Sequence, residues 1–190
     1  DKPLSAKEFL NLFDLKHLNQ DTQIKLHKMF LQNKEIFALH KWDIGKTNIL
    51  EMDIDLKTDE ERTQTYIRIP DNIQTQVQEI LDQLTKYDII RICDEPSQFT
   101  SNILVTRKKD GSIRLLFDGR LLNHETKQVA MASITKPEIL SHIAGKKYLS
   151  SLDFADAFFH IPLSKKAQPL TTFFAYGQRL CFTRAPQGLK

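Results

Sequence analysis

The first 95 residues read as two helices and two short strands. Apolar residues at helical spacing between positions 26 and 37 predict a helix, with Asp21 as a candidate N-cap. A second and clearer apolar stripe runs from position 73 to position 84, just after Pro70, and predicts another helix. Residues 49–56 alternate loosely between apolar and charged types, which predicts an edge strand. Residues 88–93 predict a further short strand.

The strongest local signal is a hairpin with a basic tip. Two strand-like runs between residues 102 and 117 flank Asp110–Gly111, the pair preferred in a two-residue type I′ turn. In that register Arg107 directly faces Arg114, and Lys109 shares their face. Opposed arginines repel each other by up to about 1 kcal/mol, so the pairing makes more sense with an anion between them. The alternative is that the charges only keep an edge and its turn soluble.

The C-terminal half adds a helix, a strand and a second hairpin. Thr135 and Glu138 form a capping-box pattern that predicts a helix over residues 136–144. Residues 148–153 predict a strand that is apolar enough to be central, followed by a short helical or irregular segment. A second hairpin is predicted about Tyr176–Gly177. Helices and mostly antiparallel strands together predict an α+β fold.

Charge is distributed unevenly along the 190 residues. The net charge is +3, but residues 1–100 hold 13 Lys and Arg against 18 Asp and Glu, whereas residues 101–190 hold 14 against 6. A basic half of this strength favours an anionic partner such as nucleic acid or phosphate, with a solvated basic face as the alternative. Two cysteines 88 positions apart, with no second pair, argue against a disulfide framework or a Cys-rich zinc site and favour a reducing compartment. The first residue is Asp1 and not Met, which suggests a piece of a longer chain. The start also lacks the apolar region of a signal peptide.

Candidate chemistry concentrates at Asp153. A carboxylate at the end of a buried strand needs a positive partner, and Asp156 follows three positions later. A Mg²⁺ ion could bridge Asp153 to a phosphate that backbone amides hold. The alternative is that Asp153 only caps a short helix. Phe158 and Phe159, as adjacent aromatics, are more often core residues. The six histidines lack the spacing of metal ligands, and no serine or cysteine nucleophile motif is found.

Four motifs are then informative in combination. They are Val105-x-Arg107-Lys108-Lys109-Asp110-Gly111-Ser112-Ile113-Arg114, Asp118-Gly119-Arg120-Leu121-Leu122-Asn123, Leu152-Asp153-x-x-Asp156-Ala157-Phe158-Phe159-x-Ile161-Pro162-Leu163 and Phe182-x-x-Ala185-Pro186-Gln187-Gly188-Leu189. In this order and spacing they resemble the fingers and first palm motifs of reverse transcriptases, those of gypsy-type LTR retrotransposons and retroviral Pol polyproteins in particular. Two positions depart from the gypsy pattern: Gly119 stands where an aromatic is usual, and Gln187 where phenylalanine is common, as in the retroviral version.

The resemblance implies a right-hand polymerase fragment and a set of site residues. Residues 1–48 would be a helical N-terminal arm or linker, and residues 49–190 the fingers with the first part of an antiparallel palm sheet. Asp153 would be the catalytic metal ligand, with the Phe154 carbonyl beside it. Contacts to the dNTP would come from Lys108, Arg114, Asp156, Ala157, Phe158 and Gln187. Contacts to nucleic acid would come from Arg107, Lys109, Arg120 and Asn123. The last two would be either structural or near the template strand.

Within the dNTP set the roles differ. Asp156 and Ala157 would offer backbone amides to the triphosphate, and Phe158 would exclude a ribose 2′-OH. Lys108 and Arg114 would clamp the phosphates. The family favours Lys108 there, although the turn register proposed above favours Lys109 and Arg107. Gln187 would lie by the sugar.

The implied activity is RNA-directed DNA polymerisation. A primer 3′-OH would take a nucleotidyl group from a dNTP with two Mg²⁺, or Mn²⁺ in their place, on an RNA or DNA template. The other partners would be the remaining palm, thumb and RNase H of Pol, in the cytoplasm or nucleus and away from membranes. The Tyr-x-Asp-Asp box of the family is missing here, so the 190 residues alone should be inactive. The alternative is a truncated or domesticated, non-catalytic nucleic-acid-binding module. An RNA-dependent RNA polymerase is disfavoured by Phe158.

Overall fold

The computed structural model describes residues 4–128, 133–151 and 153–189, and divides the chain into two units, Asp1–Gly45 and Lys46–Lys190. The first unit contains helices α1 (Ala6–Leu10) and α2 (Gln20–Gln32) and a 3₁₀ turn, Lys34–Ile36. The predicted helix is therefore confirmed. Its N-cap, however, is Asn19, whose side chain accepts a hydrogen bond from the Thr22 amide, and the predicted cap Asp21 lies inside the first turn.

Aromatic packing forms the core of the first unit. Four phenylalanine rings lie with their centroids 4.2–5.6 Å apart, in edge-on and stacked arrangements. They are Phe9, Phe13, Phe30 and Phe37. The capping box of α1, in which Ser5 and Glu8 bond to each other's backbone amides, fixes the helix that carries the first of these rings.

The second unit is built on a small antiparallel sheet, a long helix and a hairpin. The sheet has the order β2 (Ile90–Ile92), β7 (Gln178–Phe182), β6 (Phe173–Ala175). Helix α3 (Gln74–Lys86) is preceded by a 3₁₀ turn over Asp71–Ile73. It packs against β2 and against the hairpin strand β5 (Ile113–Phe117). This architecture confirms the predicted α+β class, the helix after Pro70 and the strand near residue 90.

Both predicted hairpins are present. The first pairs β4 (Ile103–Arg107) with β5 (Ile113–Phe117). The second pairs β6 with β7 through Tyr176–Gly177, both with positive φ as a type I′ turn requires. A two-stranded parallel ribbon pairs β1 (Arg62–Thr63) with β3 (Phe99–Thr100), and β3 directly precedes the first hairpin in sequence.

The remaining elements are short helices. They are α4 (Arg120–Glu125), α5 (Lys136–Ile143) and the 3₁₀ turns Ala157–His160 and Gln168–Thr171. Helix α5 begins with the predicted capping box of Thr135 and Glu138. Part of the loop that precedes it, residues 129–132, lies outside the described residues.

Two predicted strands are not found. Residues 49–56 form only isolated bridges, Met52 with Leu163 and Leu56 with Thr126. The backbone there exchanges hydrogen bonds with two separate segments, so no continuous ladder develops. Residues 148–151 and 153 are also not in a strand, while Leu152 is outside the described residues. Tyr148 and Leu149 are exposed, because no described strand lies alongside to bury them.

The core of the second unit centres on Phe182. Its ring contacts Phe117 at the base of the first hairpin, Phe173 on β6, and Phe159 in the Ala157–His160 turn, with centroids 5.3–6.4 Å apart. The aliphatic side chains of α3 that face this core are buried. One aromatic residue therefore joins the sheet, the hairpin and the turn that follows Asp153.

Candidate functional site

The first hairpin presents its basic residues in a different register from the one predicted. Thr106 is paired with Arg114 and Arg107 with Ile113, and the Lys108 amide donates to the Ser112 carbonyl. The predicted pairing of Arg107 with Arg114 is therefore wrong by one residue.

The turn explains the shift. It has three residues, Lys109–Gly111, and among them only Gly111 has a positive φ, of 82°. The Gly111 amide donates back to the Lys108 carbonyl, and the Ser112 amide and hydroxyl both donate to Asp110. Glycine supplies the left-handed position of a three-residue loop, so a type I′ turn is not needed. The hydrogen bonds from Ser112 keep the pKa of Asp110 below its usual value.

The register decides which cations share a face. Residues directly opposite on paired strands project to the same side, so Lys108 and Arg114 lie on one side of the hairpin and Arg107 on the other. The side of Arg107 also carries the buried residues Ile103 and Ile113. Lys108 and Arg114 are both exposed on the opposite, open face, and there is no Arg–Arg repulsion to relieve.

An open concavity of about 460 Å³ surrounds this tip. Its lining comprises Thr106, Arg107, Lys108, Lys109, Asp110 and Arg114. Four cations against one carboxylate give it a net positive charge, which favours an anionic ligand.

The segment after residue 152 is a tight, exposed turn. Asp153 is exposed, and Phe154 is 75% exposed. Asp156 adopts the left-handed conformation with φ 46° and leads into the Ala157–His160 turn. The His160 ring makes a 3.0 Å hydrogen bond with the Ala155 carbonyl, which holds the two ends of this turn together. Asp153 is therefore available to a ligand, as a metal-binding carboxylate must be.

The adjacent phenylalanines of this turn point into different environments. Phe159 is partly buried and stacks on Phe182, as a core aromatic does. Phe158 is 47% exposed. A role in core packing, which was the more common expectation for both rings, therefore describes Phe159 and not Phe158.

Three segments that carry predicted site residues meet at one cavity of about 20 Å³. Its lining includes Leu115 and Phe117 from the first hairpin, Phe159 from the turn after Asp153, and Gln187. Gln187 is exposed at the rim of this otherwise apolar contact. The hairpin, the turn and the Gln187 loop are thus neighbours in the fold, although they are distant in sequence.

Arg120 and Asn123 both have structural partners. The Arg120 guanidinium makes two hydrogen bonds, of 2.7 and 2.6 Å, to the carboxylate of Asp118, which is 3% exposed. These bonds hold the pKa of Asp118 below its usual value. The side chain of Asn123 donates to the Gly188 carbonyl at 2.7 Å. The sequence motif contains Asp118, but only the fold identifies it as a buried residue that fixes Arg120.

This ion pair predicts a pH-dependent stability. A lowered pKa means that Asp118 stabilises the fold above its unfolded value, near 4, and that this contribution is lost as pH falls through the lower folded value. We expect Arg120→Ala to lower the urea midpoint at pH 7. The difference in midpoint from the unsubstituted chain should shrink as the pH falls below the unfolded value near 4.

The control is Arg68→Ala, because Arg68 pairs with Asp71 and both side chains are more than 70% exposed. It should leave the midpoint almost unchanged at every pH. If the difference in midpoint between Arg120→Ala and the unsubstituted chain stays constant from pH 7 until acid unfolds both, the pair does not contribute through charge.

Comparison with known families identifies the C-terminal part of this chain. Residues 106–190 match the family model described as reverse transcriptase (RNA-dependent DNA polymerase). These residues belong to a reverse transcriptase domain. The matched range begins in β4 and includes the basic tip, Asp153, Phe158 and Gln187.

Related sequences are Pol polyproteins. The Pro-Pol polyprotein of simian foamy virus type 1 is 27% identical over 163 residues, which are 86% of this chain and 14% of that protein. The retrovirus-related Pol polyprotein from transposon 412 of Drosophila melanogaster is 29% identical over 164 residues, or 82% of this chain and 13% of that protein. The chain therefore spans about one seventh of the length of these relatives. The expected retroviral and retrotransposon kinship of the reverse transcriptase domain is confirmed.

Solved structures agree on the fold. The prototype foamy virus protease–reverse transcriptase superposes with a TM-score of 0.80 at 23% identity, over 97% of this chain and 24% of that one. A foamy viral protease–reverse transcriptase in complex with double-stranded DNA has the same TM-score and identity, over 100% of this chain and 34% of that one. No helix in the described part of the chain is long and apolar enough to cross a membrane.

Proposed function

We propose that this chain forms the fingers and the first part of the palm of an RNA-directed DNA polymerase. In the longer protein it would help to transfer nucleotidyl groups from dNTPs to a primer 3′-OH. The observation that carries the proposal is the match of residues 106–190 to the reverse transcriptase family, because that range holds the exposed cationic face of the hairpin and the exposed Asp153.

The open face of the hairpin suits the triphosphate. Lys108 and Arg114 project from one side of a two-stranded ribbon whose other side is packed on the core. A guanidinium and an ammonium on one face can together bind neighbouring phosphate oxygens, the first through a planar pair of N–H groups and the second as a point charge. Arg107 and Lys109 remain candidates for the nucleic-acid backbone, as do Arg120 and Asn123.

The donor atoms at Asp153 are of the type that Mg²⁺ prefers. The Asp153 carboxylate is exposed, and the Phe154 carbonyl adjoins it in sequence; both are hard oxygen donors. Over residues 4–128, 133–151 and 153–189, no group of three His, Cys, Asp or Glu side chains forms a metal cluster. Asp153 and Phe154 would thus provide part of a coordination shell that substrate phosphates and further carboxylates complete. When bound, the ions would stabilise the charge on the attacking and leaving oxygens.

The turn after Asp153 would position the nucleotide. Asp156 in its left-handed conformation reverses the chain, so that the amides of Asp156 and Ala157 lie at the start of a 3₁₀ turn, where N–H groups have no partner within the turn. Phe158 is exposed next to them and is the candidate for contact with the sugar.

Template and primer would bind along the same basic half of the chain. The solved relatives include foamy viral complexes with double-stranded DNA and with an RNA/DNA hybrid. The excess of basic residues after position 100 supports an equivalent partner here.

Primer extension by the longer protein tests the proposal. We expect Lys108→Ala and Arg114→Ala each to lower kcat/KM for dNTPs about ten- to a hundredfold, since each removes a charged hydrogen bond to the triphosphate. Arg107→Ala is the matched control, because it removes a cation from the same tip but from the other face of the hairpin. Its effect on kcat/KM for dNTPs should be small.

Two outcomes would count against parts of this proposal. If Lys109→Ala or Arg107→Ala lowers kcat/KM for dNTPs as much as Lys108→Ala does, the phosphate-binding residues are not confined to the open face of the hairpin. If the longer protein binds nucleic acid but extends no primer with any dNTP, the alternative of a non-catalytic module derived from a retroelement replaces the polymerase.

A further inference from the structure

The turn that carries Gln187 lies against the base of the fingertip hairpin. The Asn123 side chain, on helix α4, donates a 2.7 Å hydrogen bond to the Gly188 carbonyl. Within the turn, the Leu189 amide donates to the Pro186 carbonyl. The Asn123 amide also donates to the Gly119 carbonyl at 2.7 Å, which fixes Asn123 relative to the start of its helix.

Two glycines allow this contact to be close. Gly188 has φ 109°, and a Cβ atom there would lie 2.7 Å from the carbonyl oxygen of Phe117, the last residue of β5. A Cβ atom on Gly119 would lie 2.9 Å from the Gly188 carbonyl oxygen. Both distances are shorter than real side chains tolerate. Gly119 is also the position where the sequence departs from the aromatic residue usual in its motif, and the contact gives that departure a physical reason.

We infer that Asn123 and Gly119 are positioning residues that seat residues 186–189 on the hairpin base and so fix where Gln187 presents its amide. The role given to Gln187 toward the nucleotide rests on the proposed function, but the seating of the turn does not. Within the described residues the Gln187 side-chain amide forms no hydrogen bond, so its donor and acceptor are available to a ligand. A donor on a turn held at the backbone is preorganised for binding.

The contact between Gly188 and Phe117 joins two parts of the site. Phe117 ends the strand that carries Arg114, and its carbonyl is in contact with Gly188. A shift of the turn would therefore displace the end of strand β5. This contact thus sets the distance between the phosphate-binding face and Gln187.

Hydrogen–deuterium exchange on the longer protein tests the seating. Asn123→Asp keeps the size of the side chain but replaces its N–H donor with a carboxylate that faces the Gly188 carbonyl. Asn123→Ala removes the donor at a helical position, where alanine is well tolerated. In both variants we expect amides of residues 187–189 to exchange about fivefold faster or more, with helix α2 of the first unit unchanged. Gly119→Ala should also speed exchange at these amides, because the added methyl group clashes with the Gly188 carbonyl oxygen. His124→Ala, whose side chain is 80% exposed one position along the same helix, is the control. Unchanged exchange at residues 187–189 in all three variants would overturn the seating.

A double-mutant cycle tests the link to Gln187. In the active protein we expect Asn123→Ala to raise KM for dNTPs about fivefold with little change in kcat, and to have no further effect once Gln187 is alanine. Equal losses with and without Gln187 would overturn the positioning role while leaving the polymerase assignment intact. Absence of polymerisation by the unsubstituted protein would instead end the proposed function, and the exchange experiment would still decide the seating.

Discussion

Asp153→Asn should reduce primer extension by the longer protein about a thousandfold or more. The substitution keeps the size of the side chain but removes the negative charge that a divalent ion requires, and losing a metal site of this kind removes several kcal/mol of transition-state stabilisation. Because Asp153 is exposed and not part of the core, the folded structure should survive. The measurement is single-nucleotide incorporation under saturating dNTP and Mg²⁺, with the thermal midpoint recorded for each variant.

Asp156→Asn is the matched control for this experiment. The residue lies three positions away, has φ 46°, and would contribute through its backbone amide. Asparagine adopts the left-handed conformation readily, so the amide stays in place. We expect its activity to stay within a few fold of the unsubstituted protein. Comparable losses at both positions would mean that the carboxylate of Asp153 is not a metal ligand and that the segment acts only through its conformation.

The second large effect concerns the choice of sugar. Phe158→Val should admit ribonucleotides and raise their kcat/KM relative to dNTPs by about two orders of magnitude, equivalent to about 3 kcal/mol. The physical reason is steric: a ring beside the sugar leaves no space for a 2′-OH, and a smaller side chain opens that space. At 47% exposure the ring contributes little to the core, so the thermal midpoint should change only slightly.

Phe159→Val provides the control at the neighbouring ring. Phe159 stacks on Phe182, so its replacement should leave a cavity, lower the thermal midpoint, and reduce dNTP and rNTP incorporation in parallel. Side-by-side measurement of both nucleotides separates the two positions. A parallel loss at Phe158 with a large fall in midpoint would make that residue a packing residue, and would remove the argument for a DNA-making over an RNA-making enzyme.

Local signals in the sequence were sufficient for most elements. The apolar stripe of α3, the capping box of α5 and the Tyr176–Gly177 turn each depend on residues close together in the chain, and each is present as predicted. The reverse transcriptase motifs predict the family, and the predicted helices and strands predict the α+β class, without any tertiary contact. These predictions succeed because periodicity, caps and turns are decided within a few residues.

Contacts between distant segments could not be predicted in the same way. The register of the first hairpin depends on whether one turn residue or two have a positive φ. The turn is one residue longer than predicted, and this places Arg107 on the opposite face from Arg114. The burial of Asp118 beneath Arg120, and the contact of Asn123 with Gly188, require the fold. Residues 49–56 alternate as an edge strand does, but their hydrogen bonds go to two different segments. The roles assigned to Asp153, Phe158 and Gln187 stay predictions.

Phe182 limits which segments of this domain can be replaced by the corresponding segments of related reverse transcriptases. A fingertip hairpin transplanted from a relative would keep its own turn and its own cations, but it would also have to present an aromatic ring at position 117 to meet Phe182 edge-on. The same ring supports Phe159 beneath the turn after Asp153. A chimera that matched the cations of the tip and ignored this contact would remove the packing beneath the turn after Asp153, so successful grafts should carry positions 117, 159 and 182 together.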